Sequence, residues 1–117
     1  MTINSEQIAI ETALALDAKK ASDIRIFDVK GISSVTDYMV VATGTSAPHL
    51  KALISETQSR MRDLGVSKYR TSGDPDSGWM IIDYVHAVVH VFSAEARAYY
   101  GIEQLWATAK EVPLPQA

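Results

Sequence analysis

An apolar strand that runs straight into a helix constrains the fold of this chain more than any other feature. Residues 38–43 are apolar on both faces of a predicted strand, which is typical of a central strand that is covered on both sides. Gly44-Thr45-Ser46 breaks the strand, and a helix begins at once. Because such a strand must be covered by packed elements, the sequence predicts an α/β fold, a mixed β-sheet with flanking helices.

The helix after this turn has clear boundaries. Ser46 can cap it, Pro48 falls in the first turn where its missing N–H does no harm, and Gly65 is a suitable stop. Apolar residues and one threonine recur between these ends at helical spacing: Leu50, Leu53, Ile54, Thr57, Met61 and Leu64. This pattern predicts a helix that packs one face on the sheet.

The chain before this unit predicts a helix and then a strand. Residues 5–20 form an amphipathic pattern that Thr2, Asn4 or Ser5 can cap. The residues expected on its apolar stripe are Ile3, Gln7, Ile10 and Leu14, with Ala13 and Leu16 beside them. Residues 24–29 alternate in polarity and predict a strand, which a polar turn region at 32–37 follows.

The chain after the long helix predicts a second group of strands. Residues 68–71 favour a short strand, and the composition of 72–78 favours a loop. Residues 79–84 and 87–92 favour two strands that the pair Val85-His86 joins, so a tight hairpin is expected. Ser93 can cap a last helical stretch, which carries aromatic residues as far as Trp106.

The length of 117 residues suits one core and is too short for two. We therefore expect a single domain over residues 1–107. Residues 108–117 contain Pro113 and Pro115 and are expected to form a flexible C-terminal tail.

Composition and charge narrow the classes of partner. The net charge is -3, and the densest basic cluster is only the pair Lys19-Lys20, so little direct binding to nucleic acid is expected. An acidic domain better complements a basic protein surface. The chain has no cysteine, no visible secretion signal and no apolar run of membrane-spanning length, which predicts a cytoplasmic protein that does not enter membranes.

The residues with reactive or metal-binding side chains do not form a complete catalytic set. Gly44-Thr45-Ser46 precedes a helix N-terminus and resembles the phosphate-binding turn of a nucleotidyltransferase. Such an enzyme needs two metal-binding acids at i and i+2 of a strand, but the residue two positions after Asp83 is Val85. His86 and His90 would be separated by about 13 Å on a strand. We therefore predict no enzyme, metal or cofactor, and keep a nucleotide- or phosphate-binding enzyme as the alternative.

The predicted hairpin places a mixed set of side chains on one face. A turn at Val85-His86 pairs residue 81 with 90 and 82 with 89. One face then carries Trp79, Ile81, Asp83, Val88, His90 and Phe92. Aromatic anchors with a few polar groups are typical of a protein-binding surface. The alternative is that a helix covers this face and that Asp83 and His90 form a buried, satisfied pair.

Four blocks of sequence together resemble the ribosome silencing factor family, also called the Iojap family. The first is the run 15–24, and the second comprises 33–38 with 42–46 and His49. The third comprises 78–84 with 88–92, and the last carries Arg97, Tyr99-Tyr100 and Leu105-Trp106. The blocks are in order and extend over most of the chain, roughly residues 13 to 106.

The resemblance implies a nucleotidyltransferase-like fold without the catalytic acids. It implies a translation repressor that binds the large ribosomal subunit, through that subunit's protein number fourteen, and sterically blocks joining with the small subunit. The residues that it assigns to this contact are Trp79, Asp83, His90, Tyr100, Leu105 and Trp106. Trp106 has an alternative role, which is to hold the last helix to the core. A homodimer is conceivable when the protein is free of ribosomes, because an apolar sheet face can self-associate.

The chain departs from the family pattern at two places. Val85-His86 stands where the family usually has Gly-Asp, so the hairpin turn is expected to differ in shape. Gly101 follows the two tyrosines, where the family commonly has a polar residue, and it is expected to break the last helix.

Overall fold

The computed structural model describes residues 3–115, in which three α-helices, two 3₁₀ helices and six β-strands form. The α-helices are α1 (Ser5–Ala18), α2 (Ala47–Asp63) and α3 (Ala94–Tyr100). The strands are β1 (Ser22–Asp28), β2 (Tyr38–Gly44), β3 (Arg70–Asp74), β4 (Trp79–Asp83), β5 (Ala87–Ser93) and β6 (Lys110–Val112). The 3₁₀ helices are Pro75–Ser77 and Ile102–Trp106.

All six strands belong to one mixed sheet with the order β3-β4-β5-β2-β1-β6. Strand β2 is parallel to β5 and antiparallel to β1, and every residue in it except Thr43 is buried. The predictions of a mixed α/β fold and of a central strand at 38–43 are therefore confirmed. The physical cause is the absence of a polar face on β2, which leaves it stable only between two covered layers.

Helices α1 and α2 pack together on one face of the sheet and form the larger part of the core with it. Ser46 caps α2 through its side chain, as predicted, and the buried residues of α2 are five of the six predicted ones: Leu50, Leu53, Ile54, Thr57 and Met61. Leu64 lies at the C-cap and is exposed, because the helix ends one residue before it.

The predicted stripe of α1 is right in part: Ala13 and Leu16 are buried, and Ile3 and Ile10 pack half-buried against the core, but Gln7 does not. Asn4 and Gln7 form a capping box, so Gln7 is exposed at the helix start rather than buried. The residues that α1 buries are Ile8, Ala9, Thr12, Ala13, Ala15 and Leu16. Small side chains dominate this face because α1 lies against both α2 and the sheet, where larger side chains would hold the elements apart. The Thr12 hydroxyl donates to the Ala9 carbonyl, which satisfies it inside the core.

The prediction of a loop at 72–78 is wrong for its first part, because β3 runs to Asp74. Gly73 has a φ of 89°, and a Cβ at this position would collide with the Trp79 carbonyl oxygen. Gly73 therefore allows β3 and β4 to lie close together and is not part of a turn. Strand β3 lies at one edge of the sheet, and all five of its residues are exposed.

The hairpin between β4 and β5 has the predicted register. Ile81 pairs with His90 and Ile82 with Val89, and the Tyr84 amide donates to the Ala87 carbonyl at 2.9 Å. Val85 has a φ of 74°, and the His86 amide donates to the Tyr84 carbonyl at 2.8 Å across it. The turn thus differs in shape from an ordinary two-residue turn, and it holds a β-branched residue in a conformation that favours glycine.

The C-terminal region covers part of the second face of the sheet and adds an edge strand to it. Helix α3 ends where Gly101 adopts a left-handed conformation, as predicted, and a 3₁₀ helix follows. Residues 110–112 then pair with β1, so the prediction of a flexible tail from residue 108 is wrong for this segment. Pairing with β1 gives the backbone groups of this segment hydrogen-bond partners and so orders it, although its composition favours a flexible tail. Residues 116–117 of the predicted tail lie outside the described residues.

Candidate protein-binding surface

The second face of the sheet, opposite α1 and α2, contains an aromatic cluster. The strand register places Trp79, Ile81 and Asp83 of β4 on this face beside His90 and Phe92 of β5. A second group of buried apolar residues lies here, separate from the core under α1 and α2. Among the described residues, only short elements, namely α3 and the segment from 102 to 109, cover this face. Its β4 side is therefore left partly open.

Trp79 lies at the centre of the aromatic cluster. Its ring stacks on Phe92 with 5.0 Å between ring centroids, and Tyr100 of α3 packs against it at 4.6 Å. The indole Nε1–H donates to His90 Nδ1 at 3.1 Å. Trp79 itself is half-buried. A large aromatic ring that is held on several sides and still reaches the surface has the properties of a binding anchor.

His90 is buried, with 7% of its surface exposed, and the structure does not pair it with Asp83. Its Nδ1 accepts from Trp79, while the Asp83 carboxylate accepts from the Val85 amide at 2.7 Å. The alternative of a hydrogen-bonded Asp83–His90 pair is therefore wrong. Burial lowers the pKa of His90 to about 4, and the nearby charge of Asp83 opposes this only in part. The ring is thus neutral at neutral pH.

This pKa predicts a specific loss of stability in mild acid. Below pH 6.5 the unfolded chain takes up a proton on His90 that the folded chain refuses down to about pH 4. The contribution of His90 to the free energy of unfolding is therefore fully present above pH 6.5. It falls by roughly 3 kcal/mol between pH 6.5 and pH 4 and does not change further below pH 4. Urea unfolding at pH 7 and pH 4.5 measures this loss. The variant His90→Leu is expected to lose much less, and an equal loss in both proteins would contradict the assignment.

Arg97 of α3 holds the cover of this face in place. Its guanidinium donates to both carboxylate oxygens of Glu103, at 2.7 and 3.1 Å. It also donates to the Asp23 carbonyl and to the Thr43 hydroxyl, each at 2.8 Å. Because the guanidinium hydrogen-bonds to Glu103, the pKa of that carboxyl is lowered. One buried side chain thus connects α3, the 3₁₀ helix after it, β1 and β2.

The six residues predicted to bind a partner separate into exposed and buried groups. Tyr100 is 49% exposed and Leu105 is 71% exposed, while Trp79 and Asp83 are half-buried. His90 and Trp106 are buried, and Trp106 packs beside Phe27 and His90. The structure therefore gives Trp106 the packing role that was one of its two predicted roles.

Two further residues reach this surface and were not predicted as binding residues. Tyr99 is 83% exposed and packs edge-on against Tyr100, and Ile81 is half-buried between Trp79 and Asp83 on β4. The period-two alternation of β4 already placed Ile81 on this face. The exposure of Tyr99 depends on where α3 lies, which the sequence pattern does not specify.

A shallow hollow continues the surface beyond Asp83. It has a volume of about 360 Å³, and its apolar lining includes the exposed side chains of Val35, Tyr69 and Val85. Lys68, Arg70 and Asp83 supply its charges. The hollow therefore lies at the hairpin end of β4 and shares Asp83 with the aromatic face.

The turn that resembles a phosphate-binding loop is used internally. His49 Nδ1 accepts from the Thr45 amide at 2.9 Å, and His49 Nε2 donates to the Lys19 carbonyl at 2.7 Å. Ser46 accepts from the His49 amide through its side chain. Because these amide hydrogens have partners within the protein, the turn serves to cap α2 and to connect it with the end of α1.

The described part of the chain contains neither a metal-binding cluster nor a membrane-spanning helix. Within residues 3–115, no three histidine, aspartate or glutamate side chains lie close enough together to hold a metal ion. None of the helices in that range is long and apolar enough to cross a bilayer.

The fold and this surface define a small mixed α/β protein with an aromatic face suited to contact another protein. Residues 2–117 match the family model described as ribosomal silencing factor during starvation. The chain belongs to this family, which confirms the resemblance found in the sequence.

Individual relatives and a solved structure agree with this membership. The chain is 34% identical over 107 residues to the ribosomal silencing factor RsfS of Bacillus subtilis, covering 92% of this chain and 91% of that one. It is 36% identical over 92 residues to RsfS of Haemophilus influenzae, covering 79% and 90%. A crystal structure of a Chromobacterium violaceum protein matches with a TM-score of 0.85 and 29% identity, covering 98% of this chain and 95% of that one.

Proposed function

We propose that this protein represses translation by occupying the large ribosomal subunit and preventing it from joining the small subunit. Its contact on that subunit is the protein number fourteen that the family resemblance implies. The proposal requires no catalytic step, cofactor or metal, and it places the protein in the cytoplasm, where ribosomal subunits assemble. Repression in this scheme is stoichiometric, because each bound subunit needs one protein molecule.

The observation that carries the proposal is the partly open aromatic face around Trp79. Trp79 and Tyr100 pack together and reach the surface, and Ile81 and Asp83 continue along β4. Leu105 is exposed on the 3₁₀ helix that follows α3. Stable protein interfaces bury about 800 Å² per partner and depend on a few anchors, among which Trp and Tyr are over-represented. Trp79 and Tyr100 are anchors of this type, and they lie where α3 and the segment after it leave the sheet partly uncovered.

The charge of the chain supports a protein partner of basic character. The net charge is -3, and Asp83 lies within the apolar surface. Ribosomal proteins must neutralise RNA and are generally basic, so the two surfaces attract each other. The same apolar face is where we place a second copy of the chain if a homodimer forms in the absence of ribosomes.

The enzyme alternative receives no support from the geometry. Its phosphate-binding turn is occupied by His49 and Ser46, and Asp83 accepts a hydrogen bond from its own hairpin turn. Position 85, where a second metal-binding acid would be needed, is the strained Val85.

The proposal is tested with purified ribosomal subunits. We expect the protein to pellet with large subunits and not with small ones, and the fraction of joined ribosomes on a sucrose gradient to fall as the protein approaches one copy per large subunit. Undiminished joining in excess protein would contradict the proposal. Binding that falls steeply with salt would instead indicate contact mainly with RNA.

A further inference from the structure

We infer that His90 is a positioning residue for the protein-binding surface, because its Nδ1 fixes the orientation of the Trp79 indole. The inference rests on the proposed function and gives His90 a different role from direct contact. With 7% of its surface exposed, His90 lies beneath the surface that a partner touches. Trp79 above it is half-buried and reaches that surface.

The strand register explains why the two side chains meet. Ile81 faces His90 and Trp79 faces Phe92, so Trp79 and His90 are diagonal neighbours on one face of the β4–β5 hairpin. Diagonal neighbours lie about 7–8 Å apart at their backbones, which long aromatic side chains span. The two rings have centroids 6.0 Å apart and the N–H···N distance is 3.1 Å.

The hydrogen bond supplies information that the ring contacts do not. Phe92 and Tyr100 pack against the indole and restrict the plane of its ring. Ring contacts of this kind have little directional preference, so they allow the indole to lie in the same plane with either of its edges toward the surface. A hydrogen bond from Nε1–H to one fixed acceptor selects a single orientation. The edge of the indole that faces a partner is then the same in every molecule.

The remaining nitrogen of His90 shows that this bond is made at a cost. Because Nδ1 accepts from Trp79, the proton of the neutral ring is on Nε2. That atom is buried and has no hydrogen-bond partner among the described residues. An unsatisfied buried donor lowers stability, so an apolar side chain of similar size would suit the fold better. Stability alone therefore does not account for an imidazole here.

Two variants separate positioning from packing. His90→Leu removes the acceptor and keeps apolar bulk, while His90→Asn retains an acceptor oxygen close to the place of Nδ1. Three readouts are compared: the affinity for isolated large subunits, the thermal unfolding midpoint, and the indole N–H signal in a ¹H–¹⁵N NMR spectrum. The chain has two tryptophans, so Trp79→Ala identifies the Trp79 signal by its loss.

We expect His90→Leu to bind at least about tenfold more weakly, with an unchanged or higher midpoint and a shifted Trp79 indole signal. His90→Asn is expected to bind within about threefold of the natural protein. The inference is overturned if His90→Leu binds as the natural protein does, if its indole signal does not move, or if its midpoint falls together with its affinity.

The outcomes also separate this inference from the function on which it rests. If the natural protein fails to bind large subunits, the proposed function is wrong and the inference fails with it. If Trp79→Ala weakens binding and His90→Leu does not, the function stands and the positioning role alone is wrong.

Discussion

Replacing Trp79 by alanine is expected to weaken binding to isolated large ribosomal subunits by roughly thirtyfold or more, the loss that is typical of a central aromatic anchor. The side chain is held between Phe92, Tyr100 and His90, so it meets a partner already ordered. An anchor that is ordered in the free protein loses little entropy on binding. The measurement is co-sedimentation or light scattering at several protein concentrations.

A control is needed because Trp79 also packs against the sheet. Leu64→Ala removes an exposed apolar side chain at the end of α2, on the opposite side of the sheet, and is expected to bind normally. Circular dichroism and the unfolding midpoint of Trp79→Ala show whether the fold survives. A folded Trp79→Ala that binds as well as the Leu64→Ala control would remove this face from the proposal.

Replacing Arg97 by alanine is expected to lower the free energy of unfolding by about 3–5 kcal/mol, the usual result of breaking a buried ion pair from one side. The guanidinium is nearly fully buried, and its loss leaves the Asp23 carbonyl and the Thr43 hydroxyl without this donor and Glu103 with Arg25 as its remaining partner. The measurement is urea unfolding at pH 7.

The matched control is Arg60→Ala. Arg60 and Glu11 are 2.8 Å apart, close to the 2.7 Å between Arg97 and Glu103. Both side chains are about one-third exposed, so the loss of Arg60 is expected to lower the free energy of unfolding by only about 0–1 kcal/mol. Equal costs for the two arginines would show that Arg97 does not hold the fold as described. The double variant Arg97→Ala/Glu103→Ala is expected to recover part of the loss, since it removes a half-buried carboxylate that would otherwise keep only its bond from Arg25.

The Arg97 variant also bears on binding. Helix α3 carries Tyr100, which packs on Trp79, and Arg97 attaches that helix to β1 and β2. A loosened α3 would therefore disturb the aromatic face without changing any residue that a partner touches. This dependence makes the cover of the second face part of the binding surface.

Local patterns in the chain determined the central strand, the long helix and the hairpin register. Strand β2 has no polar face, α2 has an N-cap, an early proline and a helical stripe, and β4 and β5 have only three residues between them. Each of these features acts over a few residues, where backbone geometry leaves little choice. The face shared by Trp79 and His90 followed from the same register.

Tertiary structure alone decided how that face is covered and which of its residues a partner can reach. Lys110–Val112 pair with β1, and Arg97 of α3 reaches Asp23 and Thr43, contacts between parts of the chain that lie far apart in sequence. Close packing on α2 likewise decides the buried face of α1, which combines Ile8 and Leu16 with four small residues, while Ile10 and Leu14 stay half-buried. Local periodicity records which side chains share a face. It does not record which distant segment comes to lie on that face, because burial depends on contacts that form only when the whole chain is folded.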